Sequence, residues 1–484
     1  MLPENLWLVL VDIVLIINIL LIILVVVFER RNPMGTLSWI LLLAFIPLLG
    51  FLMYVFLGQN LRRQKIFYLK EEEERIVIPM VAWQDASLYH QSMEFNDPRV
   101  AEYQDLIRML LASSHSLISQ DNKVEIFHNG IDLFESMIND IKNAKDYIHM
   151  QYFIIRNDNL GRNIIKNLAE KAAQGVEVKI LYDGMGCIAL PRNFFDQLHK
   201  NGGQTVSFYP PFLPYINQRI NYRNHRKICV IDGMIGYVGG FNIGDEYLGL
   251  SKKLGYWRDI HLKIEGSAVD GLEMRFLLDW RYAARDPLPQ VARYFSSRPV
   301  AGESAIQIVA SGPDTTYPSI KNGYLKLINK AQQNIYIETP YYIPDENIQE
   351  ALKIAALSGV DVRLMIPYKP DHAYVYWASL SYIGELLKAG VRCYRYKRGF
   401  LHSKMVVIDG FACSVGSANM DIRSFELDFE VNAFIYDEQI SSWLEEEYLR
   451  AINLSEEITP QIYANRSLYN RFKEGFFRLF SPLF

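Results

Sequence analysis

The chain has 484 residues, enough for about three domains at roughly 150 residues each. Half of the residues are hydrophobic and 21% are charged, which excludes a disordered chain or a fibrous repeat. Fifty Lys and Arg against 54 Asp and Glu leave a net charge of −4, so no overall basic field points to nucleic acid. Four scattered cysteines, Cys187, Cys229, Cys393 and Cys413, include no Cys-x-x-Cys pair; they exclude a disulfide scaffold, give no zinc signature and read as reduced core residues.

The apolar residues are concentrated at the amino-terminal end. Residues 6–28 form a run of 23 with Asp12 as the only charge, and 37–57 a run of 21 with none. At about 1.5 Å per residue each is long enough for the roughly 30 Å hydrocarbon layer. A cleaved signal peptide is disfavoured, because no Lys or Arg precedes Arg30 and no small-residue cleavage site follows. Asn32-Pro33 and Gly35 predict a tight turn between two antiparallel spans. Arg62, Arg63 and Lys65 follow the second span, whereas Arg30 and Arg31 in the turn are offset by Glu29. The positive-inside bias therefore predicts a cytoplasmic body. Residues 1–60 are expected to be a membrane anchor, and 61–120, with the acidic run Glu71 to Glu74, a linker and surface helices.

From Lys123 onward, short Val, Ile and Tyr runs alternate with amphipathic stretches, as in a strand at 147–154, a helix at 161–174 and a strand at 176–182. That rhythm predicts an α/β fold. The body is also written twice. Ala173 to Ile180 resembles Leu357 to Leu364, each ending a helix on a glycine, Gly175 or Gly359, and opening a strand. His225-Arg226-Lys227 to Asp232-Gly233 recurs as His402-Ser403-Lys404 to Asp409-Gly410. Both copies then reach a glycine, Gly239 or Gly416, and an asparagine three residues later, Asn242 or Asn419. The two His-Lys segments lie 177 residues apart, far beyond the roughly 20 to 50 of a solenoid. Two similar α/β halves are expected, at 121–295 and 296–460, with an amphipathic segment at 461–484.

Residues two apart on a strand share a face, so each copy places an imidazole beside an ammonium group. Paired lysines, Lys227 and Lys404, and paired asparagines, Asn242 and Asn419, suit the non-bridging oxygens of a phosphodiester. Gly240 and Ser417 are small enough for close approach of the backbone. A neutral imidazole can attack phosphorus while a protonated one donates to the leaving alkoxide, so His225 and His402 divide the labour. Each needs its second ring nitrogen held, normally by a carboxylate, and Asp259 and Glu430 are the candidates. A lone His-x-Lys is more often a solvated strand edge; its duplication reverses the odds. Asp232 and Asp409 belong to the same catalytic signature, yet an Asp before Gly is ordinarily a turn residue, so structural support is the role expected of them.

These residues resemble the H-x-K-x4-D signature of the phospholipase D superfamily, including the trailing G-G/S-x-N. The resemblance implies two phospholipase D-like α/β/α sandwich halves related by pseudo-two-fold symmetry, here preceded by two transmembrane helices. They would meet around one site that works through a phosphohistidine intermediate without metal or other cofactor. It also implies Glu430 as the carboxylate of the second half and Asp259, at a longer offset, as that of the first. Arg31-Asn32-Pro33, Tyr209 to Pro214, Ile220 to His225, Gly399 to His402, Tyr376-Trp377-Ala378 and Arg478 to Leu483 resemble bacterial cardiolipin synthases over essentially the whole chain. The implied partners are phosphatidylglycerol, cardiolipin and the lipid bilayer, with no nucleic acid. The implied location is the bacterial cell membrane, multi-pass.

Other features are read around that resemblance. Arg219, Arg223 and Arg226, with Arg395, Lys397 and Arg398, are expected to attract anionic headgroups. The insert at 209–215 is an acyl-chain entrance or, equally, a rigid loop. Phe472, Phe476 and Phe480 share a helical face with Arg471, Lys473 and Arg478 nearby, as expected of a lipid-facing helix or of one docked on the body. The rival functions are a hydrolytic phospholipase D, a membrane-tethered nuclease and a non-catalytic lipid-binding scaffold. Oligomeric state is not legible in the sequence.

Overall fold

The computed structural model describes residues 4–28, 33–54, 78–209, 222–285, 291–295 and 301–481. The described residues divide into two compact units, those of 4–54 and those of 78–481.

In the first unit the expected second span does not form one helix. Pro47 lacks the N–H that would continue the ladder, and Ile46 leaves helical geometry at φ −131° and ψ 66°. The run is divided between Pro33–Phe45, of 13 residues, and Pro47–Met53, of 7. Thirteen residues rise only about 20 Å, short of the roughly 30 Å layer. The first run is helical over Glu4–Phe28, and Asn18 within it donates to Leu43 O at 3.2 Å and Pro47 O at 2.9 Å. Among the described residues no helix is long and apolar enough to cross a membrane. The multi-pass placement, the two transmembrane helices and the cytoplasmic side inferred from them are thereby corrected.

The second unit is α/β, built on a mixed sheet of sixteen strands, fifteen in one path and Arg223–Asn224 attached beside Asp428–Tyr436. From one edge the order is Gln204–Phe208, Glu177–Asp183, Tyr147–Tyr152, Ile228–Ile231, Ile235–Gly239, His261–Glu265 and Ile118–Phe127. It continues through Ser304–Ser311, Asp428–Tyr436, Ala412–Gly416, Met405–Ile408, Asn334–Glu338, Asp361–Pro367 and Arg392–Tyr396 to Ser455–Ile458. The second series repeats the first in mirror order, and the two join where Ile118–Phe127 pairs antiparallel with Ser304–Ser311. One buried cluster runs through the junction, from Leu262 and Ile264 across Ile306 to Val431 and Ala433.

Central strands are buried on both faces. Every residue of Tyr147–Tyr152 is buried, as expected for a strand with a parallel neighbour and helices above and below. The helix Asn159–Ala173 is capped by Asp158, which accepts from Gly161 N, and buries Leu160, Ile164, Ile165 and Leu168. It ends before Gly175 at φ 91°; its counterpart Glu346–Leu357, capped by Asp345, ends before Gly359 at φ 96°. The repeated glycines of the sequence are thus left-handed helix ends that a side chain would strain. The hairpins Asp232-Gly233 and Asp409-Gly410 also match: all four residues have φ between 50° and 65°, the conformation of a primed two-residue turn. All four cysteines are free and buried.

Candidate active site

The motif histidines do not sit within long strands. Each follows a very short strand that crosses to the other half. Arg223–Asn224 pairs parallel with Asp428–Tyr436, Asn224 opposite Phe429. Gly399–Leu401 pairs parallel with Tyr256–Arg258, Leu401 opposite Arg258. The next residue continues each ladder: His225 N–H donates to Phe429 O at 3.0 Å, and His402 N–H to Arg258 O at 2.7 Å.

This exchange sets the pairing of the imidazoles. His225 Nδ1 lies 3.0 Å from Glu430 Oε1 and 3.1 Å from Oε2, and 3.2 Å from Ser417 O. His402 Nδ1 lies 2.6 Å from Asp259 Oδ2. The carboxylate that the sequence assigned to each half therefore holds the histidine of the other. With Nδ1–H donated to a carboxylate, the Nε2 lone pair of each ring is free for chemistry. Phe153 meets the His225 ring edge to face at 4.9 Å, and Trp257 lies 5.1 Å from the His402 ring.

The ammonium groups reach back to the same point. Lys227 Nζ donates to His225 O at 2.5 Å. Lys404 Nζ donates to His402 O and lies 2.9 Å from His402 Nδ1. Both lysines and both carboxylates are buried. Burial first, and then Lys404, Lys227 and His225, push the His402 imidazole well below its ordinary range. Burial and then Lys227 do the same to His225, with Lys404 adding to the effect. Each cation acts on the opposite half's histidine, and each histidine is held by the opposite half's carboxylate. Burial brings Lys227 down to about 7 against the pull of Glu430, and Lys404 to about 8 against that of Asp259. It raises Asp259 to about 6 and Glu430 to about 7, opposed chiefly by Lys404 and Lys227 respectively. Among the described residues no group of three or more His, Cys, Asp or Glu side chains could hold a metal ion.

The remaining motif residues part company. Asp232 accepts from the backbone N–H groups of Lys145, Asp146 and Tyr147, and Asp409 from those of Gln332, Gln333 and Asn334, all at 2.8 to 3.0 Å. They tie each hairpin to the start of a neighbouring strand, about 17 Å along the chain from Lys227 and Lys404 at roughly 3.3 Å per residue. These contacts are of the structural kind expected of an Asp before Gly. Asn242 Oδ1 accepts from Ile154 N at 3.2 Å and its amide donates to the Tyr247 hydroxyl at 3.3 Å. Asn419 Oδ1 is buried and has no donor among the described residues, so its side chain is the less committed of the two. Ser417 Oγ donates to Glu430 Oε2 at 2.5 Å, whereas a Cβ at Gly240 would stand 2.0 Å from Asp259 Oδ1.

Several supporting residues escape a reading of the sequence. Arg226, expected to attract headgroups, is fully buried; it pairs with Asp279 and donates to Glu430 O at 3.1 Å. Gln151 ties Asp279 to Asn224, the residue before His225. In the other half Glu338 receives Arg258 at 2.9 Å and the Ser403 hydroxyl, the neighbours of Asp259 and His402. Each histidine therefore has a buried ion pair beneath it. Arg395 pairs with Glu456 at 2.5 Å and Arg398 lies over the Tyr256 ring. Arg219 and all but Tyr209 of the 209–215 insert lie outside the described residues.

The family described as "Cardiolipin synthase, PLD-like domain" matches residues 137–256 and 324–452, one copy over each motif. The cardiolipin synthase of Listeria monocytogenes serotype 4a (strain HCC23) is 48% identical over 472 residues, covering 97% of this chain and 98% of that protein. The chain belongs to the cardiolipin synthase family of phospholipase D-like proteins. The cardiolipin synthase of Staphylococcus aureus (strain Mu50 / ATCC 700699) is also 48% identical, over 97% of this chain and 95% of its own. A second family, "Phospholipase_D-nuclease N-terminal", matches residues 8–59. Among solved structures, phosphatidylserine synthase of Haemophilus influenzae Rd KW20 shares the fold at a TM-score of 0.59 and 17% identity, over 78% of this chain and 97% of that one. Within the cardiolipin synthase match Glu430 falls inside the second copy, while Asp259 lies three residues past the end of the first.

Proposed function

We propose that the chain is a phosphatidyltransferase that converts two molecules of phosphatidylglycerol into cardiolipin and glycerol through a phosphatidyl-histidine intermediate. The observation that carries this reading is the crossed pair of buried dyads, His225 with Glu430 and His402 with Asp259, each made across the junction of the two halves with a buried lysine beside it. Family membership supplies the lipid substrate. The mirrored strand order supports two phospholipase D-like halves, 121–295 and 296–460, related by a pseudo-two-fold axis at the junction.

His402 enters the step as the imidazolium, Nδ1–H on Asp259 and Nε2–H toward the leaving oxygen, the form that the bound phosphate anion favours against burial. His225 Nε2 attacks phosphorus, and the bond to the glycerol oxygen breaks as His402 Nε2–H protonates that oxygen. This leaves the phosphatidyl group on His225 and a neutral His402. The terminal hydroxyl of a second phosphatidylglycerol then gives its proton to His402 and its oxygen bonds to phosphorus while the P–N bond to His225 breaks. One phosphodiester is exchanged for another, so no nucleotide energy is required. Lys227 and Lys404 offer ammonium N–H groups to the non-bridging oxygens and Asn419 its Nδ2 amide, and the anion favours the charged form of both lysines over the neutral form that burial favours. His225 is placed as nucleophile by the order common in the superfamily.

Purified protein supplied with labelled phosphatidylglycerol should release free glycerol and cardiolipin in equal amounts. Phosphatidic acid as the sole lipid product would replace transfer with hydrolysis. Unimpaired turnover in both His225→Ala and His402→Ala would sink the catalytic scheme. A phosphatidyl adduct that forms in His402→Ala and is absent in His225→Ala would support the assigned roles; the reverse would exchange them.

A further inference from the structure

The carboxy-terminal helix Leu468–Arg478 carries two apolar faces, and the body covers one. On the docked side Phe477 packs against the cluster of Ile343, Val375 and Ala378. Glu474 is buried in an ion pair with Arg466 at 2.7 Å. The Lys473 ammonium group stands 3.5 Å from the centre of the Trp377 ring, and Arg478 pairs with Glu385 at 3.1 Å. The helix is thus held in a defined orientation.

The opposite side is bare. At about 100° per residue, Leu468, Tyr469, Phe472, Phe476 and Leu479 fall within roughly 100° of arc. They are 80%, 70%, 68%, 45% and 76% exposed. Phe472 and Phe476 stack with centroids 6.1 Å apart, so the face is a continuous surface. Five large apolar side chains left together on a firmly docked helix mark an interaction surface. The charge around it selects the partner: residues 460–481 hold four basic side chains, Arg466, Arg471, Lys473 and Arg478, against the single acid Glu474, in a chain of net charge −4. Arg466 and Arg478 are neutralised by Glu474 and Glu385, which leaves Arg471 and Lys473, about 60° and 40° beyond the two edges of the arc, and an apolar face with a cation on each margin fits an anionic lipid surface.

The helix is linked to the site through two side chains. Tyr341 packs in the cluster that receives Phe477, its hydroxyl donates to Asp371, and the Asp371 charge acts on His402 and Lys404. We propose that Leu468–Arg478 lies along the surface of an anionic phospholipid bilayer, Leu468, Phe472, Phe476 and Leu479 among the acyl chains, and so brings the His402 side of the site to the lipid. The proposal rests on the phosphatidyltransfer reading for the purpose of the contact, not for its detection.

The test uses the full chain. The amino-terminal helices can also respond to lipid, so the readout must be local. Phe472→Cys and Leu479→Cys accept a nitroxide selectively, because the four native cysteines are buried. In vesicles of phosphatidylglycerol and phosphatidylcholine both labels should become more accessible to oxygen than to an aqueous nickel chelate. A label at Lys166→Cys, exposed on the helix Asn159–Ala173 of the other half, should stay water-accessible. Labels at 472 and 479 that remain in water with vesicles present would overturn the proposal. So would labels shielded from both reagents before lipid is added, which would assign the face to a second copy, or a Lys166 label that shifts equally. In a second measurement, Phe472→Asp combined with Leu479→Asp should lower turnover of vesicle phosphatidylglycerol about tenfold while sparing monomeric short-chain phosphatidylglycerol. Equal loss on both substrates would also overturn it. If the unsubstituted protein turned over neither substrate, the functional reading would fail while the label result would stand.

Discussion

His225 and Glu430 are separated by 205 positions in the chain, yet His225 Nδ1 and Glu430 Oε1 lie 3.0 Å apart. The reciprocal pair, His402 and Asp259, spans 143 positions in the opposite direction. Neither half can assemble an oriented histidine alone, so formation of the site depends on the junction between the two. Glu430→Gln should therefore disable His225, and Asp259→Asn should disable His402. Each change should cost about 10³ to 10⁴ in kcat, by analogy with loss of the orienting carboxylate in a His-Asp dyad. The crossing has its own signature in double variants: Glu430→Gln should add almost nothing to His225→Ala, and Asp259→Asn almost nothing to His402→Ala. Additive losses within those pairs would refute the crossed assignment.

Asp232 and Asp409 should behave differently. Each satisfies three backbone donors at a turn whose two central residues have positive φ. Asp232→Ala leaves those N–H groups without their acceptor and should lower stability by about 2–4 kcal/mol. The activity of the molecules that remain folded should stay within a few-fold of normal. A thermal melt beside an active-site-normalised rate separates the two effects; a normal melt with activity lost would return Asp232 to the chemistry.

Much of this arrangement was legible in the sequence because it depends on local rules. The duplicated His-x-Lys, the Asp-Gly turns and the Gly175 and Gly359 helix ends each follow from the conformation of a few adjacent residues. The crossing did not show, because it depends on parallel pairing of strands only two and three residues long, which leave no periodic signal. The unequal offsets, 225 to 259 against 402 to 430, were the only hint. Arg226 looked like a surface cation, since its partner Asp279 lies 53 residues away on a helix that also buries Leu272 and Phe276. The second span failed for the opposite reason. Pro47 was visible in the run, but hydrophobicity counts side chains and not the N–H that proline lacks.

The lysines give the site a pH dependence whose sign can be worked out. Lys227 at about 7 and Lys404 at about 8 are partly neutral near pH 8. A phosphate anion beside them favours the ammonium forms, so binding must take up protons. Affinity for an inert phosphodiester should therefore fall as pH rises from about 7 to about 9. Calorimetric titration at pH 8 in two buffers of different ionisation enthalpy should show net proton uptake on binding. Proton release, or no difference between the buffers, would contradict the depressed lysines. Lys227→Ala should reduce the uptake as well as the affinity.

Gly240 and Ser417 occupy matching places in the two motifs but support their carboxylates in different ways. A Cβ at Gly240 would meet Asp259 Oδ1 at 2.0 Å and Asp259 Cγ at 2.6 Å. Gly240 N–H also donates to Ile260 O at 2.9 Å, which fixes the backbone against that side chain. The carboxylate must move instead, carrying His402 off its position. A displacement of about 1 Å is sufficient to cost roughly 10²-fold, so Gly240→Ala should lower kcat by at least that much. Ser417, by contrast, has room for its side chain and uses it: its hydroxyl donates to Glu430 and accepts from Val431 N at 2.9 Å. Ser417→Ala removes one hydrogen bond to a charged acceptor, of about 1.5–3 kcal/mol, part of which water or His225 can replace, so a loss near tenfold is expected. The larger defect should therefore come from adding a methyl group at 240, the smaller from removing a hydroxyl at 417. Steady-state kinetics on the two variants would reverse that order if Asp259 were free to swing aside.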